Sequence, residues 1–235
     1  MLLFALPLAA LAQTETRELA GQLGSRSALL VLNASRKPDG AWQLSGEYLV
    51  LPTLQRRFLD GEASPEIGVT TLREGASAIL FGHEATGELR GTWRGGVFKG
   101  TRYAPGGQER ERFEFSEEFP SMERYSASVR CEASEGGYKS TLAYTVDAGK
   151  LQAFDWRSHA EPGGHICAVT NLQQQARAGR LSFSADGCNV TLRELGDYVW
   201  VAADKCSEQC GANGSLEPLL VDRRGRCRLL RGEGR

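Results

Sequence analysis

A short phrase, a large apolar residue two positions before a glycine, recurs in the first half of this 235-residue chain: Leu44-Ser-Gly46, Leu59-Asp-Gly61, Leu89-Arg-Gly91 and Phe98-Lys-Gly100. Residues two apart on a strand face the same side. Each phrase therefore sets a bulky side chain and a glycine on one face. Glycine inside a strand marks a bulge, a sharp bend or a close backbone approach. A sheet that curls into a small barrel needs such positions where its wall turns. Tyr48 and Trp93 fall two residues beyond a glycine and can cover it. The pattern predicts a small antiparallel barrel or a strongly coiled sandwich.

The segments around the phrase agree. Ala28–Leu32, Trp42–Leu51, Val69–Leu72, Ala78–Phe81, Glu88–Trp93, Val97–Tyr103 and Arg110–Phe115 read as strands. Arg57-Phe58-Leu59 leads into Asp60-Gly61, read as a turn, and Arg73-Glu-Gly75 ends another strand. Turn residues recur every eight to twelve positions or so, the spacing of an all-β chain. No long stretch holds apolar residues at helical spacing.

The polar segment SEEFPSMERY, residues 116–125, separates two styles of sequence and is read as a linker. Beyond it, Tyr125–Cys131, Ser140–Val146 and Leu151–Trp156 are expected strands, followed by a Gly-rich loop from His159 to His165. Leu181–Phe183 is a short strand, and Asn171–Arg180 is the one stretch that tolerates a helix. Cys188–Leu195 and Tyr198–Ala203 form a hairpin turning at Gly196-Asp197. A two-residue turn sets Val190 against Ala203 and Leu192 against Val201, and leaves Cys188 opposite Lys205, within reach of Cys206. The expected class is all-β, two antiparallel barrel or sandwich halves: a barrel-like domain over residues 27–118 and a disulfide-bonded domain over 126–231.

Cysteine usage supports that division. The six cysteines are Cys131, Cys167, Cys188, Cys206, Cys210 and Cys227, none in the first half. The first twelve residues, MLLFALPLAALA, are apolar and end in Ala10-Leu11-Ala12 before Gln13, which fits a signal peptide and its cleavage site. They are too short to span a membrane, which takes roughly 20 residues. An even cysteine count in an exported chain reads as disulfides. Zinc is the weaker reading, because Cys206-x-x-x-Cys210 has no companion pair at ligand spacing. Cys131–Cys227 is the expected bridge between the first and last strands of the second half. The other four pair either as Cys167–Cys188 with Cys206–Cys210, or as Cys188–Cys206 with Cys167–Cys210.

Catalytic constellations are sparse. There are three histidines, His83, His159 and His165, and no G-x-S-x-G elbow. His159, Glu161 and His165 share the Gly-rich loop; they are a candidate binding loop, and their spacing is a weak signal for metal. Glu109, Glu111, Glu114, Glu117 and Glu118 could supply paired carboxylates for glycoside chemistry. Nothing singles out an acid and a nucleophile, and Glu109-Arg-Glu-Arg112 alternates in sign as cross-strand ion pairs do. The basic stretch Asp222–Arg228 suits an edge strand guarded by charge. Net charge is −1, which gives no footprint for nucleic acid or an anionic membrane. No dinucleotide fingerprint, P-loop or EF-hand loop occurs, and no cofactor is expected.

The segments GAWQLSGEYLVLP and TGELRGTWRGGVFKGTRYAPGGQERERFEF resemble a module of uncharacterised exported bacterial proteins, over residues 40 to 119. The second half, from Ser126-Ala-Ser-Val-Arg-Cys131 to Gly225-Arg-Cys227, is similar to periplasmic lysozyme inhibitors. The shared features are a first-strand Cys131, Gly136-Gly137, the strand Thr141-Leu-Ala-Tyr144 and a closing Cys227. That family's Ser-Gly-x-x-Tyr inhibitory loop does not occur here, so no inhibitory residue is carried over. Export, disulfides, two β halves and no catalytic constellation point to a periplasmic or secreted, non-enzymatic binding protein, and with the resemblance the expected role is an inhibitor or immunity-type protein directed at a lysozyme-like cell-wall hydrolase. Its partner is then a protein of the cell envelope. The alternatives are an envelope glycan enzyme using Glu residues, or a carrier of a small apolar ligand in the N-terminal barrel.

Overall fold

The computed structural model describes residues 14–63, 69–76, 85–160, 164, 166–170, 172–177, 180–211 and 216–230, with the side chains of 175–177 excepted. The expected signal peptide, the strand Ala78–Phe81 and His83 lie outside the described residues. The chain is all-β and divides into two compact units, one ending at Glu118 and the other beginning at Phe119.

The first unit is a closed antiparallel barrel of eight strands in sequence order. They are β1 (Thr14–Leu23), β2 (Arg26–Arg36), β3 (Trp42–Val50), β4 (Gln55–Ala63), β5 (Thr70–Gly75), β6 (Gly87–Arg94), β7 (Val97–Tyr103) and β8 (Glu109–Ser116). β1 pairs with β8 and closes the sheet, with Gly21 opposite Phe115. β1 precedes the expected start at residue 27, because its N-terminal half is polar and exposed and only Leu19, Gly21 and Leu23 carry the inward alternation. Asp60-Gly61 is not a turn: both residues lie inside β4, where Gly61 pairs with Leu44 on one side and Leu72 on the other. Arg73-Glu-Gly75 likewise continues β5.

The recurring glycines are explained by space. A Cβ built on Gly46 would lie 2.0 Å from the Val31 carbonyl oxygen, one on Gly61 2.1 Å from that of Thr71, and one on Gly100 1.9 Å from that of Arg90. Gly91 faces Gly100 directly across β6 and β7, and Thr70 and Phe113 continue the same row on the flanking strands. A Cβ on Gly91 would come 2.8 Å from the Phe113 ring and 2.9 Å from the Phe98 ring. The glycine floor is thus where the aromatic core rests. Phe98 stacks on Trp93 at 4.9 Å and tilts against Phe113 at 4.8 Å, and Phe113 meets Phe115 at 5.7 Å. Leu19, Leu30, Leu59, Leu72 and Leu89 fill the remaining interior, each fully buried.

The second unit packs two sheets around one core. A four-stranded sheet, in the order β12-β11-β10-β9, contains β9 (Ala127–Glu135), β10 (Tyr138–Asp147), β11 (Lys150–Ala160) and β12 (Ile166–Thr170). A six-stranded sheet runs in order from β13 to β18: β13 (Gln173–Arg177), β14 (Arg180–Ala185), β15 (Cys188–Leu195), β16 (Tyr198–Asp204), β17 (Leu219–Asp222) and β18 (Cys227–Leu229). A single helical turn, α1 (Ser207–Cys210), lies between β16 and β17. Tyr144 and Trp156 from one sheet and Phe183, Val190 and Val201 from the other share the core. Trp156 Nε1 donates to Ser140 Oγ at 2.8 Å, so the largest buried ring leaves no polar atom orphaned.

The β15–β16 hairpin has the expected register, Val190 with Ala203 and Leu192 with Val201. The stretch 173–177, read as helix-tolerant, is a strand, since its backbone completes the ladder with β14. His159 is not in a loop: the alternation Phe154, Trp156, Ser158 runs on, and His159 pairs with Lys139 and Ile166 inside β11.

All six cysteines are bridged, as Cys131–Cys227, Cys167–Cys210 and Cys188–Cys206. Cys131–Cys227 ties β9 to β18, the outer strands of the two sheets. At another corner α1 is anchored to both sheets, by Cys210 to β12 and by Cys206 to β15. The sandwich is stapled twice where its sheets would otherwise part.

Candidate functional site

Two places concentrate functional side chains, one in each unit. The first is inside the barrel. Glu74 continues the inward face of β5 after Thr70 and Leu72, and Arg102 continues that of β7 after Phe98 and Gly100. Glu74 is fully buried. Arg102 grips its carboxylate with two bonds, Nε to Oε2 at 2.7 Å and Nη2 to Oε1 at 2.9 Å. The Tyr48 hydroxyl donates to Oε2 at 2.6 Å and Thr86 Oγ1 to Oε1 at 2.9 Å, with Arg57 Nε 3.4 Å away. Gly87 faces Glu74 across the ladder, and a Cβ there would lie 3.4 Å from Oε2. Arg102 also reaches Glu111, which accepts two bonds from Arg26 at 2.9 and 3.0 Å.

Burial pushes the Glu74 carboxyl toward its neutral form, but the Arg102 and Tyr48 hydrogen bonds and the Arg102 charge outweigh it and hold the group below the ordinary carboxylate range. Burial, with the Glu74 charge behind it, raises the Tyr48 hydroxyl far above the usual phenol range. Glu74 is therefore an ionised carboxylate with both oxygens occupied. It has no proton to give and no free lone pair aimed at a substrate. Its position was open to inspection in the alternation Thr70-x-Leu72-x-Glu74; its partners, on β3 and β7, were not.

The second place is a groove of about 500 Å³ in the second unit, at the end of the sandwich where the segment Tyr125–Val129 approaches the β15–β16 and β17–β18 turns. Ala127, Val129, Val199 and Val221 give it apolar walls. Glu194 follows Cys188, Val190 and Leu192 on the core-facing side of β15 and brings a carboxylate to the groove. Tyr125 borders it, with its hydroxyl 2.8 Å from that of buried Tyr144. Burial raises the Tyr125 hydroxyl above the usual phenol range, the bond to Tyr144 opposes this, and the charge of Glu194 adds to the rise. At the rim Asp197 pairs with Arg223 at 2.9 Å, and Asp222 holds Arg226 and the backbone N–H groups of Arg224 and Arg226. Among the described residues Glu194 makes no ion pair and no hydrogen bond.

The residues singled out in the sequence fall elsewhere. His159 sits on the outer side of β11, while Glu161 and His165 lie outside the described residues. Glu111 belongs to the barrel network, Glu117 pairs with Arg17 at 3.1 Å, and Glu109 and Glu114 are exposed. The basic stretch forms the β17–β18 turn and β18, the edge strand of the six-stranded sheet. Among the described residues no group of His, Cys, Asp and Glu is arranged to hold a metal ion, and no helix is long and apolar enough to cross a membrane. No protein-family model, no curated protein and no solved structure matches the chain.

Proposed function

We propose that this chain is an exported binding protein whose disulfide-stapled second unit recognises a protein partner in the cell envelope, the partner class being a lysozyme-like cell-wall hydrolase. The observation that carries the reading is the contrast between the two candidate sites. The barrel interior is occupied by the Trp93–Phe98–Phe113–Phe115 stack and by a neutralised ion cluster, whereas the groove beside Glu194 is open and incompletely satisfied. A carrier would need the room those rings take. A glycan enzyme would need a carboxyl with a proton to give, and Glu74 and Glu111 are held by arginines. The hydrolase class comes from the likeness of the second half to periplasmic lysozyme inhibitors. The test is titration of the mature chain, beginning at Gln13, into a lysozyme-type hydrolase acting on cell-wall substrate. Loss of hydrolase activity at stoichiometric ratio is expected. Undiminished activity with no complex on gel filtration overturns the reading, and sugar release by the chain alone supports the glycan enzyme instead.

A further inference from the structure

The groove has a chemistry more specific than its function. Three carboxylates border it, and two are already neutralised: Asp197 by Arg223, and Asp222 by Arg226. Among the described residues Glu194 makes no ion pair; it lines the groove together with Ala127, Val129, Val199, Val221 and Tyr125. A carboxylate in a groove that mixes apolar wall with polar rim suits one cation on an apolar stem. Lysine and arginine are built that way, with methylenes that lie along apolar surface and a charged head at the tip. A charge-assisted bond to a carboxylate is among the stronger hydrogen bonds available to a protein, and a neighbouring tyrosine ring adds attraction for the same cation.

We propose that this groove is a socket for a single basic side chain, arginine or lysine, presented by a protein partner. The inference rests on the binding-protein reading and names the recognition chemistry of that site. A volume of about 500 Å³ admits one long side chain together with the backbone that carries it. Arginine is the better fit, because its planar head can take both Glu194 oxygens while its face lies against Tyr125. Arg224 is exposed at the rim, where solvent screens it, and opposes entry weakly.

The experiment uses the full chain, isotope-labelled, with N-acetylarginine amide as the probe and its neutral isostere N-acetylcitrulline amide as the control. Arginine amide at millimolar concentration is expected to shift the amide resonances of Ala127, Val129, Gly196 and Val199 saturably, with citrulline amide binding about tenfold more weakly or worse. Glu194→Gln should weaken the arginine probe to the same degree. Unchanged resonances for Tyr144, Val190 and Val201 would show that this variant keeps its core. Absence of saturable shifts, equal binding of the two probes, or indifference to Glu194→Gln each overturns the socket. The two proposals fail separately. Hydrolase inhibition that is insensitive to Glu194→Gln removes the socket and leaves the function. Arginine binding without inhibition or complex formation removes the function and leaves the socket.

Discussion

The barrel and the stapled sandwich bury similar side chains but secure them differently. The barrel has no cysteine and needs none, because β1 pairs with β8 and every interior strand has two neighbours. Its wall is drawn in by glycines that leave no room for a Cβ, and its core holds a fully bonded charge cluster around Glu74. The sandwich ends in strands with one neighbour each, β9 and β12 in one sheet and β13 and β18 in the other. Two of its disulfides engage those end strands, Cys131–Cys227 joining β9 to β18 and Cys167–Cys210 joining β12 to α1, while Cys188–Cys206 ties the start of α1 to the interior strand β15. Closure by hydrogen bonds and closure by covalent staples are two answers to the exposed-edge problem. The difference teaches how each unit uses its interior. Among the described residues the barrel interior is taken up by packed rings and the Glu74 cluster, while the sandwich carries a groove at one end.

Loss of the long staple should separate the units most. Cys131 and Cys227 are 96 residues apart, so replacing both by serine should cost the second unit about 4–5 kcal/mol. Hydrogen exchange under urea should show that loss confined to residues beyond 119, with barrel amides unchanged. Equal loosening of both units would break the comparison.

Arg102→Met should do the converse. It leaves the Glu74 carboxylate buried without its main partner, a change worth about 3–5 kcal/mol in comparable buried pairs. The protection of barrel amides should fall and that of the sandwich should hold. Adding Glu74→Leu should recover part of the loss, since the stranded charge is then removed along with its partner. A double variant no better than Arg102→Met would mean the ion cluster is not what the single change disrupts.

Gly91→Val tests the glycine floor. The new side chain would meet the Phe113 and Phe98 rings and the Lys99 carbonyl, an overpacking expected to cost about 1–3 kcal/mol. Thermal unfolding should register it in the barrel, while partner binding by the folded fraction is retained. Wild-type stability with lost binding would place Gly91 in a site and refute the curvature argument.

Acid should act in the same unit with the smallest effect. Glu74 has a carboxyl held below its ordinary value of 4.5, so its contribution is complete above that pH and is lost as the pH falls through the depressed native value. Barrel protection should decline below pH 4.5 more in the wild type than in Glu74→Leu/Arg102→Met. The effect is smaller than that of Arg102→Met because protonation removes the buried charge of Glu74, whereas Arg102→Met strands it, and Arg102 keeps its pair with Glu111.

Strand periodicity, the inward glycines, the β15–β16 register and the confinement of every cysteine to the second half were all legible in the sequence. Each rests on short-range sterics, the alternation of side chains on a strand and the geometry of a two-residue turn, which neighbours in sequence are enough to set. Reading Arg73-Glu-Gly75 as the end of a strand hides Glu74, which the alternation of β5 in fact carries inward with Leu72, and nothing singles out Glu194, although it shares the parity of Val190 and Leu192. What met those carboxylates was a different matter. Tyr48 and Arg102 reach Glu74 from strands 26 and 28 residues away, and nothing local in β5 names them. Among the described residues Glu194 makes no ion pair, since Arg223 and Arg226 are held by Asp197 and Asp222 and Arg224 is exposed at the rim. The strand β1 was hidden by its polar first half; β2 pairs with it from Thr14 to Leu23, and β8 adds a second neighbour over Ala20–Leu23. The choice between the two pairings of Cys167, Cys188, Cys206 and Cys210 turned on α1 lying where it can reach both sheets. Local pattern decides what a segment can be; closure of the chain on itself decides which distant groups must share a buried space, and so which charges are answered and which are left open.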